Sequence, residues 1–288
     1  MQVQLQSNSL QISINTFGAE LCSIKNNSGL EYLWQANKEI WPRHAPVLFP
    51  IVGKLKDNTY TYSNIPYNLG QHGFARDLEF ELISETKNSC CFQLRADEES
   101  KKQFPFDFIF EIEYVLLEDT LITHYKVLNP STQDLLFSVG AHPGFNCPIE
   151  KDETFEDYYL QFHSSDYKLT QLSNGLRLSS SKKLHLPDSK LALNTALFEK
   201  DALVFENSQI SSVELRSKKT ERSVKMTCEN WPYFGIWTKK DCRQFICLEP
   251  WFGIADLENT DKDFAQKEGI IRLAPKNEFN CSFSLQFG

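Results

Sequence analysis

Apolar and polar positions alternate with a period of two along most of the chain. Leu10, Ile12 and Ile14 share one side of a segment whose other side carries Gln11 and Ser13. Phe108, Phe110, Ile112 and Tyr114 repeat the pattern, as do Leu121, Thr123, Tyr125 and Val127. At the C-terminus Phe279, Cys281, Phe283, Leu285 and Phe287 alternate with Asn280, Ser282, Ser284 and Gln286. Successive side chains of a strand point to opposite faces, so each segment predicts a strand with one buried face. Turn residues punctuate them at Asn26-Asn27-Ser28-Gly29, Lys56-Asp57-Asn58, Asn129-Pro130 and Ser173-Asn174-Gly175. Helical signals are short: good helix formers at Ala96 to Phe104 and Asp261 to Lys267, and room for a single turn at Asn194 to Phe198. No long 3.6-period segment exists, which argues against a βαβ-wound parallel sheet. No fixed-period repeat or low-complexity linker interrupts the pattern. The expectation is one all-β domain over residues 1–288, a large antiparallel β-sandwich of two extended sheets with a few short helices.

Composition narrows the choice of partner. The 288 residues include 22 Phe and are 41% apolar, enough to build a full core without disulfide staples. A net charge of −8 argues against a nucleic-acid partner, which is normally met by a basic patch. No run of about 18 apolar residues is present, so no membrane-spanning helix is expected. The first residues alternate at once, without the basic and apolar regions of a signal peptide, and a cytoplasmic location is the expectation. The 8 cysteines fit a reducing compartment. Cys90 and Cys91 are adjacent, Cys242 and Cys247 are separated by four residues, and neither spacing is that of a zinc site, so no metal is expected. Most cysteines read as small buried hydrophobes.

Four segments break the alternation and gather rare residue types. In Trp41 to Gly53, Pro42, Pro46 and Pro50 bar regular pairing and hold Arg43 and His44 on rigid backbone; a plain edge loop is the ordinary alternative. In Gly70 to Asp77, glycines flank His72, and His72 and Arg76 can reach a ligand that approaches the backbone; a turn with an Arg-Asp surface pair is the alternative. In Gly140 to Pro148, His142 follows an apolar strand, Leu135 to Val139, and is fixed by Pro143, which suits a general acid or base as well as a core histidine. In Phe245 to Asp256, Glu249 ends a wholly apolar strand ahead of Pro250-Trp251. A carboxylate beside that much apolar surface has a raised pKa, as a base working near neutrality needs, though a buried Glu paired with Arg is also possible. Asp201 precedes the apolar Ala202 to Phe205 and is either a further ligand contact or a strand-start cap. Together these residues suit a polar, neutral ligand such as a sugar, whose hydroxyls Arg, Asp and Glu can fix and whose apolar face a Trp such as Trp251 can cover.

Four ordered motifs resemble the aldose 1-epimerase (galactose mutarotase) superfamily, and more closely its LacX-like branch. They are Arg43 with Ala45-Pro46-Val47-Leu48-Phe49-Pro50-Ile51-Val52-Gly53, then His72-Gly73-Phe74-Ala75-Arg76, His142-Pro143-Gly144-Phe145-Asn146 and Leu248-Glu249-Pro250-Trp251. The resemblance spans most of the chain. It implies a galactose mutarotase-like supersandwich with its site in a cleft on one face. It further implies interconversion of the α and β anomers of a hexose or hexose phosphate, without a cofactor. By resemblance His142 is the general acid, Glu249 the general base, His72 the second active-site histidine and Arg43 the substrate-binding arginine. Asp201 resembles the aspartate that binds sugar hydroxyls. The residues Pro143-Gly144-Phe145 depart from the pattern of galactose-active members, so the resemblance does not carry galactose as the substrate. A phosphorylated sugar would want an added cation, for which Arg76 and Lys54 are candidates. The implied partner is a small-molecule sugar or sugar phosphate, with no nucleic acid or membrane, on a monomer or homodimer. The alternative on the same fold is a non-catalytic carbohydrate-binding or regulatory protein. A glycosidase would need two facing carboxylates, and one strong candidate is present.

Overall fold

The computed structural model describes residues 1–288. Every strand ladder in it is antiparallel, and two large sheets dominate. The first has nine strands in the order Lys190–Ala192, Tyr158–Phe162, Ser212–Ser217, Ser223–Thr227, Glu278–Phe287, Thr120–Leu128, Ile109–Leu117, Ser89–Arg95 and Glu81–Glu85. The second has eight. Its main path runs Leu176–His185, Asp166–Ser173, Leu203–Glu206, Tyr233–Trp237, Phe245–Phe252, Val139–Ala141 and Val47–Leu48, and Gly144–Asn146 also pairs with Phe245–Phe252. The N-terminal strands Gln2–Gln6, Leu10–Asn15 and Leu21–Asn26 form a separate three-stranded sheet.

The alternation seen in the sequence explains how the two large sheets meet. Phe110, Ile112, Tyr125, Val127, Phe283 and Leu285 of the first join Phe205, Phe234, Ile236, Ile246 and Leu248 of the second in one cluster of 66 buried apolar residues. Edge-to-face pairs such as Phe252–Phe279 close the contact between them. The intervening residues of the second sheet point away from this core. Val204 is in register with Gly235, and Gly235 with Glu249, so a row of outward positions crosses the sheet. That row floors the site.

Three expectations need correction. Leu135 to Val139 is not one strand: Leu135–Phe137 pairs with Ile271–Leu273, whereas Val139–Ala141 belongs to the eight-stranded sheet. Between them Ser138 changes sheets, its hydroxyl donating to Gly269 O at 3.0 Å. Glu249 does not end its strand, which continues through Phe252 with Pro250 in register with Phe234. Of the helical segments, only Glu98–Gln103 is an α-helix, held by a capping box in which Asp97 accepts from Ser100 N and donates its own N–H to Ser100 Oγ. Phe264–Gln266 and Thr195–Phe198 are short 3₁₀ turns. All eight cysteines are free, six of them buried.

The Trp251 indole lies between Gly140 and Gly235 on the two neighbouring strands. A Cβ at Gly235 would stand 2.4 Å from its ring, and one at Gly140 would stand 2.8 Å from it. Gly235→Ala is therefore expected to cost about 1–3 kcal/mol of stability in urea unfolding, as overpacking does. Gly70, with nothing within 4 Å, is the control, and its Ala variant should stay within about 0.5 kcal/mol of wild type. Equal effects at the two positions would refute this packing.

Candidate active site

Strand register brings His142 and Glu249 together. Phe245–Phe252 pairs on one edge with Tyr233–Trp237 and on the other with a broken strand, Val139–Ala141 followed by Gly144–Asn146. Gly140 is opposite Trp251 and Gly144 opposite Cys247, so a single register spans the break and sets His142 opposite Glu249. Pro143 and Pro250, which have no N–H to give a ladder, stand beside the break on their respective strands. Residues directly opposite in an antiparallel pair have Cβ atoms about 4.5–5.5 Å apart. Here His142 Nε2 lies 3.1 Å from Glu249 Oε2.

Three rings hold the imidazole. Trp41 lies 5.1 Å away at 31°, Trp237 5.6 Å away edge-on and His72 5.6 Å away edge-on, between ring centroids. His142 is 8% exposed and Glu249 1%. Burial depresses the imidazole to about 3 and lifts the Glu249 carboxyl well above its usual range, with the charge of Asp201 adding to the second shift. Both directions oppose a net charge in the cavity. Each group is thereby pushed toward its uncharged form.

The pair opens onto a cavity of about 280 Å³. That is close to the lower end of the roughly 300–1,000 Å³ typical of small-molecule sites. His142, Glu249, His72, Asp201, Arg76 and Trp251, all singled out in the sequence, line it. His72 adopts φ +66° and stitches two irregular segments together. Its N–H donates to Gly53 O at 2.9 Å, and Gly53 N–H donates back to its Nδ1 at 3.2 Å. The Gln71 side-chain amide lies 3.2 Å from Nε2, and burial keeps the ring neutral by pushing its pKa well below 6.5. Arg76 donates to Gln71 O at 2.7 Å, and burial lowers its pKa to about 10. Asp201 Oδ1 accepts its neighbour's N–H, from Ala202, at 2.7 Å.

Arg43 stands apart from this wall. Its guanidinium is paired with Asp77 Oδ1 at 2.9 Å at the rim, where Asp77 also lies 3.7 Å from Arg76 Nε. Two guanidiniums thus share one carboxylate beside the cavity. Lys54 is likewise off the wall, donating to Asn174 O at 3.0 Å. Of six buried side-chain polar atoms without a hydrogen bond, His142 Nδ1, Arg76 Nε and Trp251 Nε1 belong to cavity residues. Buried polar groups are nearly always hydrogen-bonded, so this concentration marks a place for a ligand rich in hydrogen-bonding groups.

The sequence reading passed over Trp41, Trp237 and Gln71 on the wall. Trp41 opens the first irregular segment, which was a usable signal. Trp237 sits in an ordinary strand and becomes visible only through its register with Cys247. Behind the wall, Lys267 Nζ pairs with Asp256 at 3.0 Å and donates to Ile254 O at 2.6 Å, both side chains being 5% exposed. This pair fixes Ile254 and Ala255, which close one side of the cavity.

The fold and site define a β-sandwich protein with a buried histidine–glutamate contact on the wall of a cavity of about 280 Å³. Compared with known sequence families, residues 1–269 match the family described as aldose 1-epimerase, and the chain belongs to it. It is 31% identical to protein LacX (chromosomal) of Lactococcus lactis subsp. lactis over 99% of both chains. The galactose mutarotase related enzyme of Lactobacillus acidophilus is similar in structure, with a TM-score of 0.95 and 38% identity over 100% of this chain and 97% of that one. A galactose mutarotase-like protein of Lactobacillus casei gives a TM-score of 0.92 and 27% identity over the full length of both. No helix of the structure is long and apolar enough to cross a membrane.

Two measurements test the site. The His142 ring resonances are expected not to titrate between about pH 5 and pH 8, the interval in which an unperturbed histidine changes charge. A titration midpoint near 6.5 would show that burial does not hold the His142 ring neutral. Lys267→Met, which strands Asp256, is expected to cost about 3–5 kcal/mol in urea unfolding. A loss under 1 kcal/mol would show that the buried pair does not frame the wall.

Proposed function

We propose that the protein is an aldose 1-epimerase acting on a hexose or hexose phosphate, with His142 as acid and Glu249 as base. The observation that carries this reading is the 3.1 Å contact between the two groups on the cavity floor. A cyclic aldose is a hemiacetal, and its anomeric hydroxyl and ring oxygen are bonded to the same carbon, C1. Ring opening takes a proton from the first and gives one to the second, so the base and acid must stand side by side.

In the reacting tautomer Glu249 is a carboxylate and His142 an imidazolium. Glu249 takes the anomeric proton, the O–H electrons form the C=O bond, the C1–ring oxygen bond breaks, and His142 protonates the departing oxygen. The pair is left as neutral imidazole and carboxylic acid, its resting form. Rotation about C1–C2 turns the other carbonyl face to the hydroxyl, and reclosure runs the same transfers backwards. The contacting His72 and Gln71 side chains and Asp201 fix sugar hydroxyls, and the Trp251 ring covers an apolar patch of the sugar. Arg76, also on the cavity wall, supplies further donors to the sugar. Its unpartnered Nε, together with the surplus guanidinium charge at the rim, favours phosphate-bearing sugars as a second reading.

Exchange spectroscopy by NMR on a panel of aldoses and aldose 6-phosphates tests the reading. Glu249→Gln and His142→Asn are each expected to slow anomer exchange by about 10²–10⁴-fold while leaving the fold intact. Sugar binding without exchange in the wild type would assign a carbohydrate-binding role instead. The pH profile is a separate check. Adding a proton to the pair is resisted until about pH 3 and removing it is resisted above the usual carboxylate range. Activity should therefore hold constant from neutrality down to about pH 5, below the ordinary imidazole value. A fall with a midpoint near 6.5 would contradict this reading of the pair.

A further inference from the structure

Cys247 lies two residues before Glu249 on the same face of the strand, opposite Gly144, and takes no part in the reaction above. It is fully buried under Trp34 and Phe245, with a free thiol. One ligand atom from each of His142, Cys247 and Glu249 falls within 4.8 Å of the others. No sequence spacing reveals this set, because residue 142 meets residues 247 and 249 only through strand pairing.

Imidazole, thiolate and carboxylate are the donors zinc prefers, at about 2.0–2.3 Å. The His142 and Glu249 atoms, 3.1 Å apart, already stand at a separation that one ion can bridge, and the thiol, within 4.8 Å of both, closes on the ion to complete the set. Charge balances as well. A thiolate and a carboxylate neutralise a divalent ion, so the loaded site carries no net charge into a buried place. A thiolate disfavours magnesium and calcium, which take oxygen ligands. Three protein ligands leave a fourth position, and the cavity lies on that side.

We propose that His142, Cys247 and Glu249 form a binding site for one zinc-like divalent cation, and that the bound cation blocks the acid/base pair. Binding stands independently of the reaction proposed above, whereas the block rests on it. Loading the site displaces the Glu249 carboxyl proton and the proton of the Cys247 thiol, so uptake weakens as pH falls.

Cobalt(II) titration of the purified protein is the direct test, since a cobalt–thiolate bond gives a charge-transfer absorption in the near ultraviolet. One equivalent is expected to produce the band in the wild type, zinc to bleach it, and Cys247→Ala to lack it. Cys247→Ser, closer in shape, gives the same test if the alanine variant does not fold. In the exchange assay zinc should inhibit the wild type, and Cys247→Ala should be at least about tenfold less sensitive with its zinc-free rate unchanged. A band that persists without Cys247, or no band at all, overturns the site. A band that depends on Cys247 in a protein showing no anomer exchange would keep the site and remove the reaction.

Discussion

The register between Phe245–Phe252 and the interrupted strand beside it is the constraint on which the site depends. In that register the residue facing the gap is Glu249 and the residue within the gap is His142. Neither group needs a flexible loop to reach the other. A shift of one residue would turn Glu249 into the hydrophobic core and turn Leu248 toward the cavity. The 66-residue core forbids that shift, because Ile246 and Leu248 are part of it. Stability of the sandwich and geometry of the acid/base pair are thus one fact seen from two faces of a sheet.

Burial then sets the chemistry. A carboxyl and an imidazole in water would be charged and uncharged independently near neutral pH. Packed among Trp41, Trp237 and Trp251, each is pushed toward its uncharged form, because a charge is costly in a poorly solvated place. The cost of burying them is met by their mutual contact. The unpartnered donors around them leave the cavity polar enough for a sugar.

Much of this was legible in the sequence because period-two alternation reports which face is buried. Thr120–Leu128 and Glu278–Phe287 have the bounds that pattern predicts to within a residue. Site residues were legible where chemistry sat on irregular backbone, as His72 and His142 do. The route of Leu135 to Val139 was not, since the crossing at Ser138 is set by a tertiary bond to Gly269 rather than by any local turn residue. Trp237 and Cys247 were hidden for a related reason. They lie in plain apolar strands, and only pairing between distant segments turns them toward His142. Arg43 shows the converse. Its motif is intact, but the salt bridge to Asp77 holds it at the rim.

The account is tested most directly by a crystal structure of the Glu249→Gln variant, which cannot act as the base, soaked with a reducing aldose. The prediction is that the ring oxygen lies within hydrogen-bond distance of His142 Nε2 and that the anomeric hydroxyl contacts the side chain at position 249. A sugar seated with C1 turned toward Arg76, or bound outside this cavity, would contradict it.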